Sequence, residues 1–155
     1  MCKSFESKET LAGALIDRFY SGLEDALVAG DFSNESDPWK RCQGFLNHSI
    51  QLLRGPGLRD GCLLGSFALD LAESNPAIQK QLSARFDSMT KFAQSLFAAV
   101  AKEKPLTGKL TAKRLGRQYI VAIQGGIVLA KAHGDHKLAA EEMITFRCLV
   151  EAAFR

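Results

Sequence analysis

The residues equipped for chemistry are few and scattered. Cys62 follows Asp60-Gly61 at the head of an apolar run, and the positive end of a helix dipole there favours a thiolate. His133 and His136, three apart beside Asp135, have the residue types of a metal site. Gly134 and Asp135 are the residues that end one helix and open the next, however, so no metal is expected. The basic run Lys102, Lys104, Lys109, Lys113, Arg114 and Arg117 is offset only by Glu103 and, taken alone, could be read as a nucleic-acid patch. No glycine-rich phosphate loop, no nucleophile and base at recognisable spacing and no paired carboxylates on one face occur. Neither an enzyme nor a cofactor is expected.

The chain that must position these residues has 155 residues, 46% hydrophobic and 24% charged, with a net charge of +3. That is one globular domain, with too little charge to name a nucleic-acid or membrane partner by itself. The stretch 102–117 holds six basic residues against one acidic, which leaves −2 on everything else. No uncharged run approaches the roughly 18 residues of a spanning helix, and charges crowd the N-terminus where a signal peptide would be apolar. A cytoplasmic address without membrane contact is the expectation, in which Cys2, Cys42, Cys62 and Cys148 are core thiols rather than disulfides.

Helix signals run the length of the sequence. Ser7 caps a stripe of Leu11, Leu15, Phe19, Leu23 and Leu27 that Gly30 closes. After the acidic segment 31–37, Asp37-Pro38 opens a second helix carrying Trp39, Cys42, Phe45, Leu46, Ile50 and Leu53, which Gly55-Pro56-Gly57 stops. Residues 62–71 are apolar nearly all round, the pattern of a short central helix buried on most sides. Asn75-Pro76 begins a long helix through Ile78, Leu82, Phe86, Met89, Ala93, Leu96, Phe97 and Val100, about 40 Å in length. Tyr119–Gln124, Gly125-Gly126 and Ile127–Leu129 fit two strands and a Gly-Gly turn. The stripe Leu115, Tyr119, Ala122, Ile123, Gly126, Ile127 and Ala130 fits a helix better, and no other segment supplies a sheet for a hairpin to join. Its other side, Ile120, Val121, Val128 and Leu129, is also apolar and calls for a second partner. A final helix follows Asp135, giving six helices and no sheet.

Three segments together resemble the TetR/AcrR-type transcriptional repressors over essentially the whole chain. Phe5-Glu6-Ser7-Lys8-Glu9-Thr10-Leu11 resembles the junction where the helix-turn-helix hands over to a long connecting helix. Gly61-Cys62-Leu63-Leu64-Gly65 with Asn75-Pro76 is similar to the sixth helix and the start of the seventh, and Gln124-Gly125-Gly126-Ile127-Val128-Leu129-Ala130-Lys131 with Asp135 and Leu138 to the paired dimerisation helices. The resemblance implies an all-α bundle of six helices of the TetR C-terminal type, the last two forming a four-helix bundle in a homodimer. Residues 1–7 would be a remnant of the helix-turn-helix unit and 8–155 the effector-binding and dimerisation domain. A complete member begins with three short helices occupying roughly 45 residues, so operator DNA would be a partner only where that unit is present. Lys8 matches a position that touches phosphate in the family. The alternative is a stand-alone helical dimerisation or ligand-binding module.

The resemblance also implies sites. Small apolar or cationic effectors would enter a bundle formed by 8–29, 38–54, 76–102 and 109–133, with Phe45, Ser49, Phe67, Phe86, Met89, Phe92, Tyr119 and Ile123 as lining. Each of these also fits plain core packing. Cys62 stands in a Gly-Cys-Leu context similar to that of an electrophile-sensing relative, which makes it a candidate thiol sensor; a small buried core residue is the other reading. The expected dimer interface is Val121, Gly125, Val128, Leu129, Ile144, Phe146, Leu149 and Val150. Helix directions put loop 103–108 at the same end as the acidic loop 31–37, so opposite charges should meet there in a solvated pairing worth little.

Overall fold

The computed structural model describes residues 6–154. Cys2 and most of the 1–7 junction segment, Phe5 included, lie outside the described residues. Six helices follow one another: α1 (Lys8–Val28), α2 (Pro38–Arg54), α3 (Leu63–Asp70), α4 (Pro76–Ala101), α5 (Ala112–His133) and α6 (Lys137–Ala153). Short polar side chains start most of them, because the first N–H groups of a helix have no partner within it. Ser7 Oγ accepts from the Thr10 N–H, Asp37 Oδ1 from Lys40, Asn75 Oδ1 from Ile78 and Thr111 Oγ1 from Arg114. α5 runs unbroken through Gly125-Gly126 and ends at Gly134 with φ 65°, a left-handed turn that favours glycine. Asp135 Oδ1 then accepts from the Lys137 N–H.

Close approach places α5 between α4 and α6. A Cβ on Gly116 would stand 2.7 Å from the Thr90 carbonyl of α4, and one on Gly126 would stand 3.0 Å from Ala139 Cα of α6. Aromatic side chains fill the space around these contacts: Tyr119 lies 4.9 Å from Phe45, and Phe97 lies 6.2 Å from Phe146. α1 packs mainly on α4 along the opposite flank.

Three features differ from the sequence reading. The acidic segment 31–37 contains a 3-10 turn that buries Phe32 edge-on to Phe45 at 5.6 Å. α3 is not enclosed: it packs mainly on α1 and α4, so Leu64 is buried while Leu69 stays 82% exposed. Cys42 and Cys62 are buried thiols, but Cys148 lies on the outer side of α6 and is exposed. Burial pushes the Cys42 thiol up to about 12.

Loop 103–108 does sit beside the start of α2, just after the acidic segment. The contact there is cationic on aromatic: Lys104 Nζ lies 4.8 Å from the centre of the Trp39 ring, which in turn packs on Phe154. Among the described residues no ion pair joins the two loops; the pairs present are Arg85–Asp17 and Arg147–Glu151. No helix is long and apolar enough to cross a membrane among the described residues.

Candidate ligand chamber

Three adjoining cavities follow the inner side of α1, and Leu23 lines all of them. The largest, about 550 Å³, lies between Leu15, Phe19 and Leu23 of α1 and the end of α2 with its Gly55-Pro56-Gly57-Leu58 turn. Arg18 is its one charged lining residue. A second, about 250 Å³, opens between Tyr20 and Leu27 of α1 and Ser88, Met89 and Phe92 of α4, with Glu24 as its one charge. The innermost holds only about 30 Å³ and has no charged lining. It shares Leu52 and Leu58 with the first cavity and Leu27, Met89 and Tyr119 with the second. Together they reach the size of a small-molecule site, apolar with a few polar groups.

Those polar groups gather in the inner chamber. Ser49, Tyr119, Cys62 and Gln124 line it together. The Ser49 hydroxyl donates to the Phe45 carbonyl at 2.9 Å and lies 2.9 Å from the Tyr119 hydroxyl. Burial holds the Tyr119 phenol well above its ordinary value, so it carries its proton throughout the neutral range.

Of the eight residues expected to line a pocket, Ser49, Met89, Tyr119 and Ile123 meet in the inner chamber and Phe92 joins Met89 and Tyr119 in the second cavity. Phe45 stands behind Tyr119, fully buried, with Phe92 against it at 5.6 Å. Phe86 faces a separate cleft with Ala68, Ala72 and Leu82, between α3 and α4, and Phe67 of α3 lines none of the three cavities. The leucines at the junctions, Leu23, Leu27, Leu52 and Leu58, are not among the residues expected to line a pocket, nor is the glycine-proline turn. Apolar spacing identifies which residues face inward but not where facing side chains fail to meet.

α1 is tied to α4 by polar contacts beside this chamber. Gln81 donates to the Gly13 carbonyl at 2.9 Å and to Asp17 at 2.8 Å, Arg85 reaches Asp17 at 2.7 Å, and the same guanidinium lies 4.7 Å from the centre of the Tyr20 ring. The Arg85 and then the Gln81 hydrogen bonds hold the Asp17 carboxyl below its ordinary value. On the α2 side, His48 Nε2 meets the Ala26 carbonyl at 2.7 Å.

The outer faces of α5 and α6 present a different surface. Val121, Val128 and Leu149 are 53%, 57% and 62% exposed, and Gly125 and Leu129 are exposed beside them. Ile144 is half-buried. Phe146 and Val150, expected in the same interface, instead point into the chain's own core at 5% and 0% exposure. The period of α6 puts Met143, Phe146, Val150 and Ala153 on the inner stripe. Lys8 is exposed in the first turn of α1, and His133, Asp135 and His136 are exposed around the α5–α6 turn. No group of three or more potential metal ligands gathers among the described residues.

Residues 38–138 match the family described as transcriptional regulator LmrA/YxaF-like, C-terminal domain. The HTH-type transcriptional repressor DhaR of Mycobacterium sp. (strain GP1) is 25% identical over 127 residues, 82% of this chain. The chain spans 62% of the length of that relative. Among solved structures, a TetR transcriptional regulator from Chloroflexus aurantiacus superposes with a TM-score of 0.79 at 20% identity, covering 97% of this chain and 76% of its own. The regulatory protein TetR from Rhodobacter sphaeroides gives 0.76 at 17% identity, over 97% and 78%. At such identities the structural likeness bears on the fold.

Proposed function

Because the chain belongs to the LmrA/YxaF-like group of TetR-type transcriptional regulators through their C-terminal domain, we propose that it is the effector-sensing and dimerisation portion of such a regulator, extending over 8–155. A small, largely apolar effector enters the chamber, and α1 carries the consequence toward the DNA-reading unit in the full-length form. The observation that carries this reading is that α1 lines all three cavities through Leu23 while hydrogen bonds from Gln81 and Arg85 hold it to α4. Filling the chamber works against a few polar contacts, of which the Arg85–Asp17 pair is exposed and therefore weak. In this reading Lys8, in the first turn of α1, touches operator phosphate when the DNA-reading unit is present.

Two copies would associate through Val121, Gly125, Val128, Leu129 and Leu149, with Ile144 at the edge. The exposed apolar side chains on adjacent helices support that assignment. Cys62 lines the inner chamber at 4% exposure, so an electrophile would reach it only by occupying the effector site.

The test is a thermal-shift series with neutral apolar probes on the chain and on Leu23→Trp, which fills the junction of the three cavities. Probes that raise the melting temperature of the parent should lose that effect in the folded variant. Stabilisation that survives Leu23→Trp would contradict the reading. Sedimentation equilibrium should show a dimer that Val128→Arg together with Leu149→Arg turns into a monomer; a parent monomer would remove the dimerisation role.

A further inference from the structure

We infer that the chamber selects effectors by the direction of one hydrogen bond: it takes an uncharged, mostly apolar molecule that presents a hydrogen-bond donor, a hydroxyl or an N–H, to the oxygen of Tyr119. The inference rests on the effector-sensing reading above and names the class of ligand for that site. Ser49 has a single hydroxyl proton, and the Phe45 carbonyl, which can only accept, takes it at 2.9 Å. For both contacts to be hydrogen bonds at once, the Ser49 oxygen is the acceptor in its 2.9 Å contact with Tyr119, and the phenol proton is used there. Tyr119 is left with lone pairs and no proton to offer. Its hydroxyl oxygen therefore suits a donor and repels another acceptor.

The volumes and charges fit the same ligand. The inner chamber, about 30 Å³, has room for one small polar group such as a hydroxyl, while the ring or chain that carries it lies in the adjoining cavity of about 550 Å³. No charged side chain lines the inner chamber to balance an ionised group. Gln124, which also lines it, offers both a donor and an acceptor and does not set the direction. Ser49 is thus a positioning residue: it acts on the ligand through the tyrosine by fixing where the phenol proton points.

The inference is tested by calorimetric titration of the full chain with two probes, 2-naphthol and 2-methoxynaphthalene, in which a methyl group replaces the donor proton. The parent should bind 2-naphthol roughly tenfold more tightly, the cost of facing one buried acceptor with another. Tyr119→Phe, which removes the oxygen, should bring the ratio of affinities close to one. Ser49→Ala frees the phenol proton to point into the chamber and should move the ratio roughly tenfold toward the methyl ether, an effect that mere loosening of the core would not produce. Equal binding of the two probes by the parent, or a ratio unchanged in both folded variants, would overturn the donor rule while leaving the chamber in place. Failure of the parent to bind either probe would overturn the effector reading along with it.

Discussion

The two flanks of the bundle are built in opposite ways. On one, α5 approaches α4 and α6 so closely that Gly116 has no space for a methyl group and Gly126 has it only if α6 gives way slightly. On the other, α1 stands off α2 and α4 across cavities of about 550 and 250 Å³ and is held by hydrogen bonds from Gln81, Arg85 and His48. Close-packed cores transmit strain and resist deformation, whereas a helix bordered by voids can shift at small cost. In the proposed function, the first flank joins two subunits and the second responds to a ligand.

Substitutions on the two flanks should differ in cost. The largest effect should come from Phe97→Ala in α4. Phe97 is fully buried against Phe146, and its truncation should cost about 3–5 kcal/mol in urea unfolding. Gly116→Ala should follow. The added methyl meets a backbone carbonyl at 2.7 Å that cannot swing aside, and we expect a loss of about 1–3 kcal/mol despite the better helix propensity of alanine. Leu23→Ala, on the hollow flank, should cost only about 1 kcal/mol, below the roughly 2–5 usual for a buried leucine, because its neighbours already leave space on three sides. A loss equal to that of Phe97→Ala would erase the distinction.

The smallest effect should be that of Asp17→Asn, and it carries a pH signature. The Asp17 pKa is lowered in the folded protein, first by Arg85 and then by Gln81. Its contribution is therefore complete above the unfolded carboxylate value, about 3.9, and disappears as the pH falls through the lower folded value. Thermal unfolding should show the variant slightly less stable than the parent at neutral pH and equal to it in strong acid. A difference that grows with acidification would be contrary to the pairing of Asp17 with Arg85.

The helices were legible in the sequence because their start signals are local. Ser7, Asp37 and Asn75 each accept the N–H three residues on, and a cap followed by proline, as at 37–38 and 75–76, is an unambiguous beginning. The continuity of α5 through Gly125-Gly126 followed from its unbroken apolar stripe and the lack of any partner strand. What could not be read was anything that depends on two helices at once. Phe32 sits in an acidic segment yet is buried, because Gly30 and Gly44 let its ring pass close to α2. Phe146 and Val150 were assigned outward because an apolar residue on a terminal helix has two possible neighbours, and only the packing of α6 on α5 and α2 decides. The chamber was half visible: Ser49, Met89, Phe92, Tyr119 and Ile123 lie on its walls, but the leucines that frame it look like any other core leucines.

Hydrogen exchange of the full chain, read segment by segment with mass spectrometry in the presence and absence of 2-naphthol, shows whether α1 is the movable wall of a ligand chamber set on a rigid α4–α5–α6 frame. Without ligand, amides of residues 8–28 should exchange roughly a hundredfold faster than those of the α5 interior, and 2-naphthol should slow α1 while leaving 112–133 unchanged. Protection of α1 equal to that of α5, or a slowing confined to the outer faces of α5 and α6, would contradict that role for α1.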